Sequence, residues 1–133
     1  MPVVIREIHA APSKTALNEE WFVVENTGDR AFSTAGCTLG VARGRSARPS
    51  QVGTLDPGFT LAPGERVRVH TGVPGKKSQG TIPPEAEGVR NYHLFLGGLI
   101  PLTAGVVLVL TLRQHELARA AHDPTQPLGV VAE

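Results

Sequence analysis

Leu61-Ala62-Pro63-Gly64-Glu65-Arg66-Val67-Arg68-Val69-His70-Thr71-Gly72 is the stretch on which the reading of this chain turns. Pro63 and Gly64 mark a turn, because proline presets φ and glycine accepts a positive one. Alternation begins immediately afterwards. Val67 and Val69 take one side, and Arg66, Arg68 and His70 the other. A period of two is the period of a strand. One apolar and one polar side predict a half-exposed strand in an antiparallel sheet.

Similar short runs lie on both sides of it. Residues 3–8 alternate, and residues 20–26 (Glu-Trp-Phe-Val-Val-Glu-Asn) are rich in β-branched and aromatic side chains that suit a pleated surface. Asn26-Thr27-Gly28-Asp29 follows as a turn in which Asn and Asp can bond their own backbone. Phe32 and residues 36–41 predict the next strand, with Cys37 and Leu39 on one face. Residues 51–55, 59–61, 92–96 and 106–112 are further strand candidates. Residues 114–121 leave two readings open. Their Glu, Leu, Ala and Arg content favours helix, whereas a hairpin turn at Gln114-His115-Glu116 with a strand over 117–122 also fits. Residues 73–91, with Pro74, Pro83, Pro84 and Gly88, form the longest weakly patterned stretch, and loops of that length are either functional or mobile.

The punctuation, 15 glycines and 11 prolines, is spread through the whole chain of 133 residues, with no repeat and no linker. One all-β domain over residues 1–123 is therefore expected, followed by a tail over 124–133 in which Val130-Val131 can dock. An apolar fraction of 41% supports a real core. A net charge of +1 argues against a strong global pull toward nucleic acid or anionic lipid. Cys37 is the only cysteine, so no intrachain disulfide forms, and a small core residue is its expected role. Residues 94–112 carry no charge, but Gly97, Gly98, Pro101 and Gly105 divide them into pieces of strand length. They read as two buried strands and not a membrane span. The N-terminus lacks the pattern of a signal peptide, so a cytoplasmic location is expected.

The order of these motifs resembles the lamin tail domain family, in the form of a bacterial stand-alone member. The resemblance is carried by Asn18-Glu19-Glu20-Trp21, by Glu25-Asn26-Thr27-Gly28-Asp29-Arg30, by Gly36-x-Thr38-Leu39, by the 61–72 stretch and by residues 92–98. It runs from about Ile5 to Asp123. It implies an immunoglobulin-like β-sandwich of about eight or nine mostly antiparallel strands, acting as a binding or structural module without catalytic residues. Cys37 stands where the family usually has tryptophan and Val23 where glutamate is common. Leu102-Thr103-Ala104-Gly105-Val106 replaces an Asn-Asn-x-Gly-Asp stretch.

Catalytic and cofactor patterns are not met. Gly75-Lys76-Lys77-Ser78 lacks the glycine spacing of a phosphate loop. The five histidines (His9, His70, His93, His115, His122) show no zinc-type spacing, although a sandwich can bring His70 and His93 together. Glu19 and Glu20, as strand neighbours, point to opposite faces and read as a solvated edge. No cofactor, no metal and no enzymatic activity are expected.

Two surface features remain. Arg43, Arg45 and Arg48 in one loop, with Lys76 and Lys77 in another, can hold anions. With Phe22 and Val24 facing the core, Trp21 and Val23 point outward, either as an open apolar patch or beneath the tail or the 73–91 loop. The leading expectation is a protein-interaction or scaffolding module. It would use Trp21 and Val23 with Lys76 and Lys77 at the rim, and homodimerisation through that face is one version. The alternative is a nucleic-acid accessory domain using Arg43, Arg45 and Arg48.

Overall fold

Apolar residues at every second position bury one side of an extended chain, and two such layers facing each other bury both. In the computed structural model of the chain, which describes residues 3–44, 48–85, 88–96, 98–100, 104–113 and 115–131, this produces a β-sandwich. Its strands are β1 Val3–His9, β2 Trp21–Asn26, β3 Phe32–Ser33, β4 Thr38–Ala42, β5 Ser50–Thr54, β6 Thr60–Leu61, β7 Arg66–His70, β8 Val89–His93, β9 Val107–Leu112 and β10 His115–Ala121. Short 3-10 turns sit at Leu17–Glu19 and Lys77–Gln79.

One sheet has the order β1-β2-β7-β8, the other β10-β9-β4-β5, and β3 pairs with β6 alone. Every pairing is antiparallel except β7 with β8. Val24 lies opposite Val67 and Phe22 opposite Val69 on the inner face of the first sheet. They meet Leu39, Leu108 and Leu110 of the second, and all of these side chains are essentially inaccessible. Each fully buried side chain of this size contributes roughly 1.5–3 kcal/mol before the cost of ordering the chain. Cys37 is wholly buried just ahead of β4, and burial pushes its thiol pKa up.

Asn26 shows how a turn signal becomes tertiary structure. Its Oδ1 accepts from the Gly28 amide at 2.9 Å, and its Nδ2 donates to the carbonyls of Arg30 at 2.7 Å and Leu61 at 2.9 Å. One buried side chain thus joins the 26–30 turn to β6.

Of the two readings left open for residues 114–121, strand is the one observed, over residues 115–121. Pairing with β9 buries Ala118, and that contact outweighs a helix propensity worth a few tenths of a kcal/mol per residue. β8 runs over Val89–His93 and not 92–96, because Phe95 takes φ 58° and leaves extended geometry. The tail docks: the Ile8 amide donates to the Leu128 carbonyl at 2.9 Å, and Val130 bridges His122.

The outer edges of both sheets are guarded. Pairing shifts interrupt β1 between Ile5 and Glu7, β10 between Glu116 and Ala118, and β5 at Val52 opposite Leu39 and Gly40. On β8 the Asn91 amide is capped by Glu85 Oε2 at 2.7 Å. Bulges and capped amides deter strand addition from another chain.

Candidate functional site

The outer face of the first sheet is built by register. His9, Trp21, His70 and His93 lie side by side across β1, β2, β7 and β8, and Glu7, Val23, Arg68 and Asn91 form the next row. His9 stacks on Trp21 with ring centroids 4.7 Å apart and planes 4° from parallel. Trp21 meets His70 edge-on at 6.3 Å, and His70 stacks on His93 at 5.0 Å. The Arg68 guanidinium sits 5.1 Å from the Trp21 ring centroid, a cation–π contact.

Of the two arrangements expected for Trp21 and Val23, an open patch or cover by the tail or the 73–91 loop, the covered one is present, so the contact surface expected there is not open. Trp21 is 8% exposed and Val23 4%. On β7, expected to be half-exposed, the outward side runs from exposed Arg66 through half-buried Arg68 to His70 at 0%. The cause is topological. β7 and β8 run parallel, so the chain leaving β7 must travel back along the sheet before β8 begins. The described part of the connection, residues 71–85, returns across this face. Arg68 Nη1 reaches the Pro83 carbonyl at 3.5 Å, Asn91 Nδ2 donates to it at 3.0 Å, and Thr81, Ile82 and Pro83 share a small cleft with Trp21.

The connection is tied down at both ends of its first half. Asn18 Nδ2 donates to the Val73 carbonyl at 2.7 Å, and the Val73 amide donates to Gln79 Oε1 at 2.8 Å. Gly72 is needed for close approach, since a Cβ there would lie 2.5 Å from Gln79 Oε1 and 2.7 Å from Asn18 Oδ1. Glu20 is also not the solvated edge residue expected. It is 1% exposed, and its Oε1 accepts from Thr71 Oγ1 at 2.7 Å and from the Ile100 amide at 2.6 Å. A buried carboxylate is tolerated when its lone pairs are used in this way.

His70 sits at the centre of a conflict. Its Nδ1 faces the Asn18 carbonyl at 2.8 Å and its Nε2 faces Asn91 Oδ1 at 3.0 Å. The Asn91 amide is oriented by its donation to Pro83 and by Arg68 Nη1, which donates to Oδ1 at 3.0 Å. Both ring nitrogens therefore meet acceptors. Burial nevertheless holds the His70 pKa below the usual imidazole range; the two hydrogen bonds oppose that shift, and His93 and Arg68 add to it. Burial lowers His93 as well, against a hydrogen bond with the Gly72 backbone. The two rings come together as the sequence allowed. Among the described residues no three His, Cys, Asp or Glu side chains converge as metal ligands.

The surface left open is the end of the sandwich beyond His9, His70 and His93. Lys76 and Lys77 are exposed there, in the segment that leaves β7. Phe95, just beyond β8, is 63% exposed. Arg43 and Arg48 follow β4 and precede β5 at the same end, both exposed, and Arg45 lies outside the described residues. Arg48 lines a cleft on the outer face of the second sheet with Thr38, Gly40 and Gln51. The expected grouping is thus split: Lys76 and Lys77 stand at an open end, while Trp21 and Val23 lie covered. Phe95 went unnoticed in the sequence because it reads as a strand residue, and only the Gly97-Gly98 pair beside it hints at a change of direction. No family model matches the chain, and no curated protein matches it.

Proposed function

We propose that this chain is a non-catalytic interaction or scaffolding module that docks through the loop end carrying Phe95, Lys76 and Lys77. The observation that carries this reading is Phe95, a large aromatic side chain 63% exposed on a backbone at φ 58°. A non-glycine residue there costs about 1–2 kcal/mol, and side chains held at such cost cluster at functional positions. The guarded sheet edges and covered sheet face support the same choice by leaving less competing surface. The motif order resembling an immunoglobulin-like lamin tail domain supports a module without chemistry of its own.

The test is affinity capture from a native lysate that retains its membranes, using wild type, Phe95→Ser and the pair Lys76→Glu/Lys77→Glu. Material held by wild type and lost from both variants supports the reading. Identical capture by all three removes it. A nucleic-acid reading is favoured by Arg43 and Arg48 alone. It predicts DNA retention at low salt that declines steeply with added salt and is abolished by Arg43→Ala/Arg48→Ala.

A further inference from the structure

We propose that the partner at this loop end is an anionic phospholipid surface, with Phe95 entering the acyl boundary and Lys76 and Lys77 lying among the headgroups. This deepens the docking reading above and rests on it.

A segment entering lipid must bring no unpaired amide, because hydrocarbon offers it no acceptor. Three successive amides at the tip are already used within the protein. Leu94 donates to the His70 carbonyl at 2.8 Å, Phe95 to Gly72 at 3.2 Å and Leu96 to Thr71 at 2.9 Å. The Phe95 side chain is therefore presented on a backbone whose donors point inward. Leu94 and Leu96, which flank Phe95, carry no charge, so nothing ionisable adjoins it in the chain.

Charge supplies the second part. β7 and β8 are parallel, so the segments leaving both emerge at one end, and the Phe95 amide bond to Gly72 ties them together. Lys76 and Lys77 follow Gly72 closely and are exposed. Of the carboxylates near this end, Glu20 is buried and Glu19 is half-buried against Gly80, while Asp123 faces solvent and accepts from the amide and hydroxyl of Thr125. An apolar tip with a cationic rim matches an anionic bilayer, where each lysine near the surface adds favourable free energy.

The experiment is vesicle co-sedimentation with the whole chain. The vesicles are phosphatidylcholine alone or with about 30 mol % phosphatidylserine, a composition chosen for its negative surface potential. Wild type sediments with the anionic vesicles and not the neutral ones, and salt weakens the binding. Phe95→Ser lowers the partition coefficient about tenfold or more. Lys76→Glu/Lys77→Glu lowers it about thirtyfold or more. In Phe95→Trp, the new indole blue-shifts on the anionic vesicles while buried Trp21 supplies a constant background. Thermal unfolding of each variant shows that it is folded. Absence of wild-type sedimentation at low salt, or equal binding by Phe95→Ser, overturns the proposal. Failure on vesicles combined with lysate capture that still depends on Phe95 leaves the docking reading standing with a protein as partner, and rejects lipid.

Discussion

Replacing Asn91 with alanine tests whether residues 71–85 of the connection are what keeps Trp21 dry. Asn91 Oδ1 accepts from Arg68 Nη1 at 3.0 Å and faces His70 Nε2 at 3.0 Å, while Nδ2 donates to the Pro83 carbonyl at 3.0 Å. The bond to the charged guanidinium is worth about 1.5–3 kcal/mol and each of the others about 1. Asn91 is half-buried, so water replaces part of what is lost, and the net destabilisation is about 2–4 kcal/mol. At a urea slope of about 2 kcal/mol per molar, the unfolding midpoint falls by about 1–2 M. The variant also loosens Pro83 from the sheet, so acrylamide quenches Trp21 more strongly below the transition than in wild type. Urea titration followed by tryptophan fluorescence measures both. A midpoint shift below about 0.3 M, with unchanged quenching, would falsify the argument that these bonds hold the cover in place.

Three further outcomes are expected. Burial depresses the pKa of His70 and His93, so between their native pKa values and about 6.5 the unfolded chain binds more protons. Stability is then full above about pH 6.5 and declines on acidification, and the decline from pH 7.5 to 5 is smaller in His93→Asn. Glu7, whose pKa is raised by burial against Arg68, His9 and Arg66, works in the opposite sense, so the comparison is between the two proteins and not the wild-type slope alone. Equal slopes count against the histidine pair. Gly129→Ala sets a Cβ against the Ile8 carbonyl at a residue with φ 75°, and should cost about 2 kcal/mol or more. Hydrogen exchange should speed up at the Ile8 and Val131 amides, and unchanged protection there argues that the tail adjusts freely. Phe95→Gly should raise stability by about 0.5–1 kcal/mol, since relief of a positive φ outweighs an exposed ring. A loss exceeding about 1 kcal/mol would instead make Phe95 a structural residue.

Local pattern made much of this legible. The alternation of Val67 and Val69 against Arg66, Arg68 and His70 is present in β7, and Phe22 and Val24 face the core as read. The Asn26 turn closes on its own side chain. Non-local contacts decided what local signals left open or pointed away from. Residues 115–121 suit helix or strand by local pattern, and β9 decides for strand by offering a ladder and a core position for Ala118. Glu20 carries a charge that suggests solvent, but Thr71 and the Ile100 amide supply partners from distant parts of the chain.

Which side of each strand is apolar can be read along the chain, because side-chain alternation is a property of the backbone and needs no partner. So can the turns, through glycine, proline and asparagine. Which polar sides stay wet is a property of the packed fold. That depends on β8 pairing parallel to β7, which sends residues 71–85 back over Trp21 and His70 and leaves Phe95 and the two lysines outside. Strand direction is chosen by the global arrangement of the sheet, and no local pattern in the chain encodes it.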